Sequence, residues 1–117
     1  MNIYELVDDV LDGLSVPYAA VQFLTASPSI PLPDLFLVST IITNMPEETA
    51  DDEEVSRFYR VQISVYNRSG LTGLPDVDAA MKAAGFKKSD RRELPIDRET
   101  GHYGLALDYT ILLDAGA

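Results

Sequence analysis

Two charge clusters and one imidazole are the groups in this 117-residue sequence that could do chemistry. Glu47, Glu48, Asp51, Asp52, Glu53 and Glu54 place six carboxylates within eight residues, and carboxylate oxygens are what a hard cation such as calcium or magnesium takes. A dedicated calcium loop offers ligands at alternate positions around a central glycine, and this stretch has neither. Like charges packed so densely repel, so the expected roles are a solvated, mobile loop or a functional acidic rim. Lys87, Lys88, Arg91 and Arg92 form the basic counterpart, interrupted by Ser89 and Asp90 and lacking the interleaved aromatics of a nucleic-acid surface. Two roles suit them: a charged sheet edge that resists unwanted strand pairing, or a salt-bridging contact between subunits.

His102 is the single histidine, and the chain has no cysteine. One imidazole cannot make a metal site by itself, so neither a metal nor a cofactor is expected. Beside the turn glycine Gly101, His102 is expected at the surface or at a strand edge. The alternative is acid–base catalysis with Asp97, Glu99 or Asp108 in a small cytosolic enzyme, which would need a concave pocket. A third reading is an adaptor that binds one partner through an exposed sheet edge. Nucleophile signatures such as Gly-x-Ser-x-Gly are absent, and Gly70-Leu71-Thr72-Gly73 lacks the lysine of a phosphate-binding loop. No catalytic residue is therefore expected.

All nine lysines and arginines follow residue 54, so residues 1–54 carry eleven carboxylates and no fixed positive charge, while the remainder balances eight acids against nine bases. This asymmetry bears on association, because it steers encounter and disfavours wrong pairings. A net charge of −10 repels duplex phosphate, which argues against sequence-specific nucleic-acid binding. An acidic surface does suit a protein past which nucleic acid must slide. The acidic, periodic N-terminus does not resemble a secretory signal, and no apolar run is long enough to cross a bilayer. Cytosolic synthesis, one domain over residues 1–117 and no membrane partner are the expectations.

The elements that must position these groups follow from periodicity. Ile3, Leu6, Val7, Val10, Leu11 and Leu14 recur at helical spacing after Asn2, a plausible cap, and before Gly13 and Pro17. A short strand is expected from Tyr18 to Leu24, then a proline-rich connection through Pro28, Pro31 and Pro33. Leu35 to Thr43 reads as a strand covered on both faces, and Val55 to Tyr66 as a half-buried strand with Tyr59, Val61, Ile63 and Val65 inward and Arg60, Gln62 and Ser64 outward. Together they make a long, projecting hairpin with the acids at its tip. A second helix is expected from Pro75, in its first turn, to Gly85. A polar, moderately β-prone segment covers Lys87 to Ile96. Tyr103, Leu105, Leu107, Tyr109, Ile111 and Leu113 then share one face of a final strand. The order α-β-β-β-α-β-β predicts an α+β domain, an antiparallel or mixed sheet with two helices on one face.

The Val16-Pro17-Tyr18 lead into the first strand, the strand Arg60-Val-Gln-Ile-Ser-Val-Tyr66, the helix end Ala83-Ala-Gly-Phe86 and the run Asp97-Arg-Glu-Thr-Gly-His-Tyr-Gly-Leu-Ala-Leu-Asp-Tyr-Thr-Ile111 occur in that order. In that order they resemble the tail-completion or tail-terminator proteins of long-tailed bacteriophages and prophages, most closely over residues 55–113. The chain departs from that pattern in its proline-rich connection and its acidic hairpin. The resemblance implies a small α+β subunit without catalytic residues that assembles into a ring, usually a hexamer. Such a ring caps the tail tube and presents a surface to the head connector. It further implies that the tail tube protein and a head-connector or neck protein are partners, that DNA passes through the lumen, and that the protein resides in the virion after assembly in the bacterial cytoplasm. Another neck or head–tail joining protein is the alternative within the same class. Glu47 to Glu54 would then line the lumen or its rim, and Lys87, Lys88, Arg91 and Arg92 a subunit interface.

Overall fold

The computed structural model of the chain describes residues 2–20, 32–50 and 53–114. Helix α1 (Ile3–Asp12) buries Ile3, Val7 and Leu11, the stripe its spacing predicts. The Asn2 side chain caps it, accepting the Glu5 N–H at 2.9 Å. Strand β1 (Tyr18–Ala20) pairs in parallel with β2 (Leu35–Ala50), while the expected continuation of the first strand to Leu24 lies outside the described residues.

Strand β3 (Glu53–Asn67) runs antiparallel to β2 from Leu35↔Asn67 to Ala50↔Glu53. This corrects the expected strand boundaries and the loop between them. Glu47, Glu48, Glu53 and Glu54 lie in strand backbone, and Asp51 and Asp52 fall outside the described residues. Sixteen residues of β2 at about 3.3 Å each reach about 53 Å, which matches the molecule's longest extent of 54 Å.

Helix α2 (Val77–Ala83) starts two residues later than predicted. Asp76 is the cap, accepting the Ala79 N–H at 3.1 Å, so Pro75 precedes the helix and does not occupy its first turn. Gly85 ends it in the left-handed region at φ 98, where its N–H donates to the Lys82 carbonyl and that of Phe86 to the Met81 carbonyl, both at 3.0 Å. Strands β4 (Lys87–Asp97) and β5 (His102–Asp114) complete a five-stranded mixed sheet of order β1-β2-β3-β5-β4. This is an α+β fold with two helices and one sheet.

One core gathers the inward residues of both helices and of the central strands, among them Leu37, Val61, Ile63, Leu105, Leu107 and Tyr109. Tyr103 shares their strand parity but is 43% exposed. Phe36, Val38, Ser64 and Ala106, on the alternate positions, are also buried, so the second face is covered over part of its length. Phe36 stacks on Tyr66 at 5.1 Å between ring centroids.

Gly104 lies on this face between close neighbours. A Cβ there would meet Leu94 Cβ at 3.0 Å and Tyr66 Cε1 at 3.1 Å. Gly104→Ala is expected to cost about 1–3 kcal/mol by overpacking, read as a lower urea midpoint at unchanged slope. An unchanged midpoint would show that the three strands yield freely.

Candidate functional site

His102 is corrected from a surface residue to a buried one, 1% exposed, at the start of β5. The Asp97–Gly101 turn brings it inward: Asp97 Oδ1 accepts the Glu99 N–H at 3.0 Å, and the Gly101 N–H closes on the Asp97 carbonyl at 2.6 Å, with Gly101 at φ 79. Nε2 lies 2.8 Å from the Pro33 carbonyl, which only accepts, so this nitrogen carries the proton. Nδ1 then takes the Thr100 hydroxyl at 2.8 Å. With Phe36 edge-on at 5.0 Å, the imidazole packs as part of the fold. Neither ring nitrogen is bonded to Asp97, Glu99 or Asp108, the partners that acid–base chemistry would need.

Arg68 fastens the same end of the sheet. It donates to the Thr100 carbonyl at 2.9 Å, the Leu32 carbonyl at 3.2 Å and Asp34 Oδ1 at 2.6 Å. The sequence around Arg68 carries no motif that singles it out. Its three acceptors lie 32 to 36 positions away, so no local pattern exposes them.

Asp108 is a second site that the sequence left unmarked beyond a catalytic alternative. It is 3% exposed, on the sheet face away from the helices. Arg60, expected to face outward, donates Nη2 at 2.6 Å and Nε at 3.2 Å to Asp108 Oδ2, and Arg92 reaches the same oxygen at 3.5 Å. Asp108 Oδ1 is buried without a hydrogen-bond partner. Such a group depends on its neighbouring cations, since desolvation works against an unpaired charge.

The four expected interface bases do not act as one cluster. Strand β4 is a sheet edge, and Lys87, Lys88, Arg91 and Arg92 are exposed along it. The register shift after Lys88 splits them: Lys88 reaches Asp78 of α2 at 2.7 Å, whereas Arg92, four positions on, turns to Asp90 at 3.3 Å and to Asp108 on the other face. Lys87 and Arg91 form no ion pair among the described residues. Pro95 and register shifts between Lys88/Asp90 and Leu94/Asp97 interrupt this edge, so it is poorly suited to adding another strand.

Asp78 joins Lys88 to the core, because the buried Tyr109 hydroxyl donates to it. Burial opposes its ionisation, but the hydrogen bonds from Lys88 and Tyr109 outweigh that and hold the carboxyl below its ordinary value. Burial, and then the bond to Asp78, pushes the Tyr109 phenol well above its ordinary value. Tyr18 is likewise raised to about 12, first by its 2.7 Å hydrogen bond to Asp12.

The acid-only segment supplies strands β1 and β2, at the opposite side of the sheet from β4, and helix α1, which packs beside α2. Glu5, Asp8, Asp9 and Asp12 are exposed on α1. Side chains of Glu47, Glu48, Glu53 and Glu54 are outside the described set, as are Asp51 and Asp52. Among the described residues no group of three or more histidine or carboxylate side chains is arranged to hold a metal ion. No helix among them is long and apolar enough to cross a membrane.

Two outcomes follow from the buried polar groups. An unfolded tyrosine releases its proton near pH 10 while folded Tyr109 keeps it, so stability is full below pH 10 and falls as pH rises. Tyr109→Phe should flatten this alkaline fall in urea titrations, leaving the smaller contribution of Tyr18 between pH 10 and about 12; an unaltered slope would remove Tyr109 as its source. Arg60→Ala should cost about 2 kcal/mol, below the full value of a buried pair because Arg60 is 38% exposed. A stability equal to wild type would mean that Arg92 or water suffices for Asp108.

No family model matches the chain, and no curated protein matches it.

Proposed function

We propose that the protein is a structural virion subunit, a tail-terminator or tail-completion protein. Its copies join head to tail into a ring, six by the resemblance, at the end of a phage tail tube and connect that tube to the head connector. The observation that carries the reading is the separation of unlike charge across one sheet. Strands β1 and β2 belong to a segment without a single base, and β4 carries Lys87, Lys88, Arg91 and Arg92 at the far edge. A subunit with different surfaces at its two sides makes heterologous contacts, which close into a ring when the rotation allows. The blunted β4 edge favours side-chain salt bridges in such a contact over strand addition. The order of sequence elements, from the Val16-Pro17-Tyr18 lead to the final strand, supports the same class.

In this reading the β2–β3 hairpin points its acidic end toward the ring axis or the tube. Glu47, Glu48, Asp51, Asp52, Glu53 and Glu54 keep the passage from holding transiting DNA, because like charge repels phosphate within about 10 Å at 0.1 M salt. The tail tube protein and a neck protein are the partners, and the site of action is the virion, after assembly in the bacterial cytoplasm.

Changing the six acids to glutamine and serine tests the lumen role. Ring assembly seen by electron microscopy should persist, and DNA retention by the rings should rise. Unchanged DNA retention would remove the acids from the passage, and a wild-type protein that forms no closed particle would remove the ring.

A further inference from the structure

We infer that the cleft between α2 and β4 receives the acidic face of α1 from a second copy; this rests on the ring reading and names its contact. The cleft has a volume of about 380 Å³ and is lined by Phe86 and Tyr109, with Lys82, Lys87 and Lys88 around them. Its carboxylate, Asp78, is already engaged by Lys88 and by the Tyr109 hydroxyl. The side chains of Lys82 and Lys87 are exposed and form neither a hydrogen bond nor an ion pair among the described residues. The cleft therefore offers an aromatic floor and two uncommitted positive charges.

The complementary surface lies on α1. Ile3, Val7 and Leu11 point into the subunit's own core, which leaves Glu5, Asp8 and Asp9 in solvent without a cationic partner among the described residues. Tyr4 stands among them, 59% exposed. Residues four apart share one helix face, so Tyr4 and Asp8 approach a partner together, with Glu5 beside them. An aromatic ring fits an apolar floor with its hydroxyl at the wet rim, and carboxylates beside it form charge-assisted bonds to lysine. Helix α1 packs beside α2 within the subunit, and its exposed Tyr4, Glu5 and Asp8 are not among the residues that line the α2–β4 cleft. Each copy thus carries one donor and one receptor, and the contact propagates from subunit to subunit. Nucleic acid is the competing occupant for the lysines, and the net charge of −10 opposes it.

Charge exchange tests this with the full chain. Glu5→Lys with Asp8→Lys, and separately Lys82→Glu with Lys87→Glu, should each weaken self-association by at least about tenfold at low salt. Combining all four reversals should restore the wild-type mass, with melting curves confirming that each variant folds. Because the chain lacks cysteine, a mixture of Tyr4→Cys and Ala83→Cys proteins can be oxidised; cross-links between the two variants are expected to exceed those within either one. If wild-type protein assembles and the reversals leave its mass unaltered, the cleft is overturned while the ring stands. If wild-type protein stays a single subunit throughout, both fall. If duplex DNA binds wild-type protein and the lysine reversals abolish that binding without altering mass, the occupant is nucleic acid and the inference is wrong.

Discussion

The antiparallel ladder between β3 and β5 determines where everything else lies. Strand β5 takes the place beside β3, from Ser56↔Asp114 to Asn67↔Tyr103, and thereby sends β4 to the rim. Val61, Ile63 and Val65 on one strand and Leu105, Leu107 and Tyr109 on the other face the helices together. Burying each such side chain contributes about 2 kcal/mol. A slip of one residue would turn the whole set outward, so the register is strongly specified. The charge layout follows from this pairing. With β5 inside the sheet, the polar strand that precedes it has one edge and much of its surface in water, which is where Lys87, Lys88, Arg91 and Arg92 can stay hydrated. The acid-only segment is left to build the other side.

Buried polar groups then fix the ends and faces of that sheet. His102 and Arg68 tie the start of β2 to the β3 and β4–β5 turns through the Pro33, Leu32 and Thr100 carbonyls. Tyr109 and Lys88 meet at Asp78, which joins the core, α2 and the basic edge in one small network. Asp108 and its arginines do the same on the opposite face. These groups are engaged within the subunit. The charges left over for association are those on the outside of α1, at the mouth of the α2–β4 cleft and along β4.

Much of the architecture was legible in the sequence because it is written in local periods. The α1 stripe, the alternation from Tyr59 to Val65 and that from Leu105 to Tyr109 each repeat several times, and Asn2 and Gly85 mark their ends by their own chemistry. The misreadings arise where a distant partner decides. Six acids in eight residues suggest a loop, yet the antiparallel ladder between β2 and β3 pairs Glu48, Glu53 and Glu54 in extended backbone. His102 looked superficial beside a glycine turn, but its receptor is Pro33, 69 positions away. Lys82 drew no notice in the sequence, since only the packing of α2 against β4 sets it beside Lys87. Sequence likewise could not divide the basic run between two faces, because the register shift after Lys88 decides which base turns where.

The central claim is that copies of this chain bind one another through unlike, oppositely charged sides. Measuring the mass of the wild-type protein in solution against ionic strength tests it most directly. The Debye length shrinks from about 30 Å at 0.01 M to about 3 Å at 1 M salt, so a contact of this kind weakens as salt rises. The account predicts a closed multiple of the 12.9 kDa subunit at low salt that dissociates as salt is added. A mass of 12.9 kDa at every salt and protein concentration, or an assembly that strengthens with salt, would contradict it.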